Sequence, residues 1–159
     1  MSWWTVHADR MLSEWVPAPP EAVRGFYVDL DNIRLVHPLI VSVETVSRTE
    51  TDAGYQQTYR VVDRIPLGPF TIRTVYQARL RVPTHGDVLT EADQSPGVRL
   101  RGTVSFDPVD GGTRVTERIG ITAPRLLAGV TIREGAKAHI KMLAGIRSHF
   151  ESETPRRSQ

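Results

Sequence analysis

The stretch FTIRTVYQARLRV, residues 70–82, decides the fold class. Phe70, Ile72, Thr74, Tyr76, Ala78, Leu80 and Val82 share one parity, while Thr71, Arg73, Val75, Gln77, Arg79 and Arg81 share the other. Successive side chains of a strand point to opposite faces, so this alternation describes a half-buried antiparallel strand with one wet face. Outward from it, Ile40 to Thr122 is β-patterned throughout, broken by the turn signals TDAG, PLGP, THGD, SPG and PVDGG. Folding about PLGP is expected to set Asp63 opposite Ile72 and Tyr59 opposite Tyr76. Folding about SPG sets Asp93 opposite Arg99 and Glu91 opposite Arg101, so that unlike charges meet on the outer face. The arginine-rich faces therefore read as a solvated exterior laced with carboxylates rather than a nucleic-acid surface.

The flanks are less regular upstream and helical downstream. A first strand lies within Thr5 to Val16, but Arg10 and Glu14 share the parity of Val6 and Leu12, which leaves its buried face undecided. VPAPPEAVRGFYVDL follows; Pro19 and Pro20 suit a first helical turn, and Glu21 favours its dipole. Val23, Phe26, Tyr27 and Leu30 recur at helical spacing. Asn32 is expected to cap a second short helix, IRLV, which Pro38 ends. His37, just before that proline, has two local explanations. The proline biases it toward an extended conformation, and a histidine complements the helix C-terminus. A ligand contact is the alternative reading.

The last element is a long helix opening near Pro124, with Thr122 as its expected cap. Ile132, Ala136, His139, Leu143, Ile146 and Phe150 make one continuous face, flanked by Gly135, Ala138, Met142 and Gly145. Arg133, Glu134, Lys137, Lys141 and Arg147 are expected to face solvent. Each helix glycine costs about 1 kcal/mol relative to alanine. Either close approach to the sheet or room for a ligand must offset that. Residues 1–152 are read as one domain and 153–159 as a disordered tail.

Composition narrows the classes. A chain of 159 residues, 40% hydrophobic and 24% charged, has the make-up of an ordinary globular domain. No apolar run approaches the roughly 18 residues that span a bilayer, so stable membrane insertion is not expected. The start, MSWWTVHADR, lacks the basic and apolar regions of a signal peptide, which makes a cytoplasmic location the expectation. The absence of cysteine excludes disulfides, thiolate metal sites and cysteine nucleophiles. The five histidines (His7, His37, His85, His139 and His149) lack metal-ligand spacing, and no phosphate-cradling loop, HExxH or nucleophile elbow is present. No metal or cofactor is expected.

The order of elements is strand, two short helices, six antiparallel strands and one long helix. Together with VPAPPEAV (Val16 to Val23), the HP that precedes a strand, GGTRVTE (Gly111 to Glu117) and the closing helix, this order resembles the START-like or SRPBCC superfamily. That superfamily includes lipid-transfer domains, pathogenesis-related allergens and bacterial polyketide cyclases/dehydrases, and the likeness spans about residues 5 to 151. The resemblance implies an α+β helix-grip fold. A curved antiparallel sheet of about seven strands would wrap around the long C-terminal α-helix, with two short helices between strands 1 and 2. An apolar cavity would lie between sheet and helix.

Three ionisable residues fall on the inward faces. Asp63 has the parity of Tyr59, Val61 and Ile65; Glu117 that of Val115, Ile119 and Ile121, expected opposite Gly102; His139 lies mid-helix. A carboxylate among apolar neighbours has a raised pKa and can serve as acid or base near neutrality, and a histidine between carboxylates can shuttle protons. The plainer readings are a sheet-end acid for Asp63, a buried ion pair for Glu117 and a hydrogen-bonded core histidine for His139. The expected ligand-lining set is Phe26, Tyr59, Val61, Phe70, Ile72, Tyr76, Leu100, Val104, Ile119, Met142 and Leu143.

Three functions remain open on the sequence. The first is a carrier of a lipid, acyl chain or polyketide-like molecule, as monomer or homodimer. The second is a polyketide cyclase/dehydrase with Glu117 or Asp63 as base and His139 or a tyrosine as acid. Aromatase/cyclases of this family usually place an arginine in the pocket, and the strand arginines here point outward. The third is a ligand-free interaction module with a solid core.

Overall fold

The computed structural model describes residues 3–153. Seven strands form: β1 (Thr5–Val16), β2 (Ile40–Thr51), β3 (Gly54–Leu67), β4 (Phe70–Pro83), β5 (Val88–Gln94), β6 (Val98–Val109) and β7 (Gly112–Pro124). Helices α1 (Pro20–Tyr27) and α2 (Leu30–Val36) link β1 to β2, and α3 (Arg125–Glu153) closes the chain. The strands make one antiparallel sheet in the order β1-β7-β6-β5-β4-β3-β2. β2 to β7 are sequential hairpin neighbours, and β1 returns to pair with β7. Register shifts at Ile40/Ser42 and Thr45/Ser47 interrupt edge strand β2, where an extra residue bends the strand. This is the α+β helix-grip architecture: an open curved sheet, a long C-terminal helix and two short helices after the first strand. Glu153 belongs to α3, not to the tail. The rest of the expected tail, 154–159, lies outside the described residues.

Two hairpins sit two residues from the register read off the sequence. Asp63 pairs with Thr74 and Tyr59 with Ala78, because the turn is made by Gly68 and Pro69 with Gly68 at φ +61°. Glu117 pairs with Val104, and Gly102 with Ile119, because Asp110 and Gly111 make the turn. The missing side chain of Gly102 leaves room for Thr90, not Glu117. Both shifts are even, so every side chain keeps its face. The third hairpin has the expected register: Asp93 faces Arg99 and Glu91 faces Arg101. On the outer face Asp93 contacts Arg79, Arg99 and Arg101.

Capping also departs from the sequence reading. The α2 cap is Asp29, whose side chain accepts from the Asp31 N–H at 3.0 Å; Asn32 lies inside the helix. Thr122 stays in β7, with its hydroxyl on His7 Nδ1 at 2.9 Å, and α3 starts directly after the strand. On β1 the inward side is settled: Leu12 packs against the core while Met11 is exposed.

The interior has two unlike halves. Around the C-terminal half of α3, Met142, Leu143 and Ile146 pack with Val23, Phe26 and Tyr27 of α1 and Leu30 and Ile33 of α2. Tyr59, Val61, Leu80, Val82, Val88, Val104 and Val115 complete that cluster from the sheet. Around the N-terminal half of α3, the same sheet and helix stand apart.

Candidate functional site

The gap is a cavity of about 460 Å³ between the N-terminal half of α3 and the ends of β3, β4, β5, β6 and β7. Its apolar wall is Leu39, Ile65, Leu67, Ile72, Ala92, Val98, Leu100 and Ile121 from the sheet side, and Leu126, Leu127, Val130 and Ala138 from the helix. Leu126 is 96% exposed, so the rim of the cavity is itself apolar. The polar groups are few: His37, Asp63, Thr74, Tyr76, Gln94, Ser95, Thr131, Glu134 and His139. Among the described residues no lysine or arginine lines it.

Antiparallel pairing places three of these side by side. Asp63 on β3 is the ladder partner of Thr74 on β4, and Tyr76 follows two residues later on the same face. The Tyr76 hydroxyl donates to Asp63 Oδ1 at 3.3 Å. Burial pushes the Asp63 carboxyl up to about 6, opposed by the Tyr76 hydrogen bond and the nearby His139. The Tyr76 phenol is raised well above its ordinary value by burial, then by the Asp63 charge. Thr74 Oγ1 is buried and has no hydrogen-bond partner among the described residues.

The opposite side is a buried relay. His139 Nδ1 donates to both Glu117 oxygens at 3.1 and 3.2 Å, and the Tyr27 hydroxyl donates to Glu117 Oε2 at 2.6 Å. Glu117 is 2% exposed and does not line the cavity; it reaches the space only through His139. Burial lowers the His139 pKa, but the Glu117 charge and hydrogen bond outweigh it, so the net shift is upward. With Nδ1 engaged by Glu117, Nε2 is the ring nitrogen that His139, a cavity-lining residue, has left for a bound molecule.

His37 joins this group in addition to its local role at the end of α2. It does cap α2 in an extended conformation, φ −89° and ψ 119°. It also lines the cavity, with its ring edge-to-face on His139 at 5.5 Å between centroids. Its Nδ1 accepts the Leu39 N–H at 3.2 Å. Burial, then the neighbouring His139, depress its pKa to about 3, so the ring is neutral with its proton on Nε2. The only signal in the sequence was the HP at a helix end, which local effects already explained.

The expected ligand-lining residues divide. Ile72, Tyr76 and Leu100 line the cavity. Phe26, Tyr59, Val61, Val104, Met142 and Leu143 are instead packed in the solid core, because α1 and α2 fill the space before them. Phe70 is 72% exposed beside the β3–β4 turn, where no second layer covers it. Ile119 is buried on β7 away from the cavity, beside Gly120 and β1. Glu134, expected in solvent, lines the cavity, because it shares a helix face with Val130, Thr131 and Ala138, three or four residues away. Among the described residues no His, Asp or Glu group could hold a metal ion, and no helix is long and apolar enough to cross a membrane.

Comparisons with known proteins agree with this architecture. TTHA0849 from Thermus thermophilus superposes with a TM-score of 0.71 at 18% identity, over 93% of this chain and 100% of that one. The Zhui aromatase/cyclase from Streptomyces sp. R1128 gives 0.66 at 16% identity, over 91% and 94%. A STAR-related lipid transfer protein fragment from Xanthomonas axonopodis gives 0.58 at 17% identity, over 95% and 96%. At such identities the likeness shows the fold alone. No curated protein sequence matches the chain. The sequence pattern of one family matches residues 12–151, nearly the whole length, and the chain therefore belongs to the family described as polyketide cyclase / dehydrase and lipid transport.

Proposed function

We propose that the protein binds a hydrophobic small molecule in the cavity between the sheet and the N-terminal half of α3. The observation that carries this is the apolar space of about 460 Å³ that ends on a small cluster of convergent polar groups. Ligand sites commonly have that make-up, with apolar walls for affinity and a few polar groups for orientation. Family membership points the same way. Protein purified without detergent should release an apolar compound into organic solvent, detected by mass spectrometry. A Gly135→Phe variant, whose ring would occupy the cavity, should release none. An empty wild-type extract with no thermal shift across a lipid and aromatic panel would remove the reading.

A second reading is acid–base conversion of the bound molecule, and the placement of Asp63 and His139 on facing walls favours it. Asp63, its pKa raised to about 6, would take a proton from carbon α to a carbonyl. His139 would protonate the departing β-hydroxyl from Nε2, releasing water and leaving a carbon–carbon double bond. Glu117 and Tyr27 would be positioning residues that hold the imidazole. Asp63→Asn and His139→Gln should each slow turnover of an accepted β-hydroxyketone by about 100-fold. Unaltered rates in both variants would leave binding alone.

A further inference from the structure

We infer that the cavity selects apolar molecules whose polar group is an uncharged hydroxyl or carbonyl, and turns away carboxylates. The inference rests on the cavity being a ligand site and specifies what that site accepts. Three atoms at its polar end are left with capacity to spare. Thr74 Oγ1 is buried without a partner among the described residues, which is costly unless something hydrogen-bonds it. His37 spends Nδ1 on the Leu39 N–H and keeps an Nε2–H donor. Asp63 accepts the Tyr76 hydroxyl on Oδ1 and retains Oδ2 as an acceptor.

A single neutral hydroxyl satisfies this set. Its oxygen accepts from Thr74 or His37 while its proton goes to Asp63 Oδ2. A ketone oxygen satisfies the donors alone. A bare hydrocarbon leaves Thr74 unpartnered. A carboxylate meets the reverse of what it needs, because Asp63 and Glu134 are both on the wall and none of the described lysines or arginines is there. The cavity's one cationic candidate among the described residues, His139, is already engaged by Glu117 at 3.1 Å.

The test uses three molecules of one shape: 9-phenanthrol, phenanthrene and phenanthrene-9-carboxylate. Each is titrated at pH 7.5 into the full chain by fluorescence, with competition to establish a common site. The phenol is expected to bind at least 10-fold tighter than the carboxylate and several-fold tighter than the hydrocarbon. Thr74→Val, near in shape and lacking the hydroxyl, should narrow the gap between phenol and hydrocarbon. Asp63→Asn should narrow the gap between phenol and carboxylate; circular dichroism checks that both variants are folded. A wild type that binds the carboxylate as tightly as the phenol overturns the selectivity while leaving the cavity a ligand site. Ratios unchanged in both variants overturn the assignment to these residues. Failure of all three molecules to bind overturns the selectivity and the cavity reading together.

Discussion

One helix, α3, runs along one sheet, yet its two halves meet different interiors. At the C-terminal half, Met142, Leu143 and Ile146 are packed against strands and against the two short helices. At the N-terminal half, Leu127, Val130 and Gly135 face open space. The difference is the plug formed by α1 and α2, whose Val23, Phe26, Tyr27, Leu30 and Ile33 fill one end and not the other. His139 and Glu117 sit at the boundary. The solid end stabilises the fold, which leaves the other end free to stay hollow and carry polar groups that a packed core would not tolerate.

The sharpest way to break this contrast is truncation. Ile146→Ala, at a fully buried position, should cost about 3 kcal/mol, since the packed surroundings cannot collapse onto the missing atoms. Leu100→Ala, on the cavity wall, should cost about 1 kcal/mol because part of its surface already lacks neighbours. Urea denaturation measures both, and equal losses would mean that the two halves are packed alike.

Titration gives the next effect. The folded pKa of Asp63, about 6, lies above its ordinary value of 3.8, so between those pH values the native state holds a proton that the unfolded chain has released. Stability therefore falls as pH rises through that window, and above it the buried carboxylate costs about 3 kcal/mol. Asp63→Asn should raise stability by roughly that amount at pH 7.5 and leave it unchanged near pH 4. His37 works in the opposite sense. Its folded pKa of about 3 lies below 6.5, so it withdraws stability as pH falls below 6.5. Melting temperatures of Asp63→Asn and His37→Gln across pH 4 to 8 separate the two.

The smallest effects come from two glycines of α3, and they sharpen the contrast by sign. A Cβ at Gly135 would stand 3.5 Å from Ile121 Cδ1, an ordinary contact at the cavity wall. A Cβ at Gly145 would stand 2.8 Å from Val36 Cβ, too close for the α2–α3 contact to keep. Gly135→Ala should stabilise by about 1 kcal/mol through helix propensity, whereas Gly145→Ala should be neutral or destabilising. The same sign at both sites would contradict the division. The sequence posed this as one question for the helix glycines; the structure answers it differently at each.

That pattern runs through what was and was not legible. Parity in β3, β4 and β7 assigned Asp63, Tyr76 and Glu117 to the inward face, and two-residue errors in hairpin register left those faces intact. Parity could not tell Val104, in the packed cluster, from Leu100, on the cavity wall, because both alternate identically on β6. The distinction depends on how far α1 and α2 reach across the sheet, a tertiary fact with no local periodicity. His37 was obscured for the opposite reason. Its local chemistry sufficed to explain it, yet a residue that ends a helix can also face a cavity.

Methyl and backbone NMR during titration with 9-phenanthrol tests the central claim most directly. Saturable shifts are expected at Leu39, Ile65, Ile72, Leu100, Ile121 and Gly135, with Val23, Val88, Leu143 and Ile146 unmoved. Shifts confined to the packed half or the outer sheet face, or no saturable shift at all, would contradict a ligand site in the hollow half.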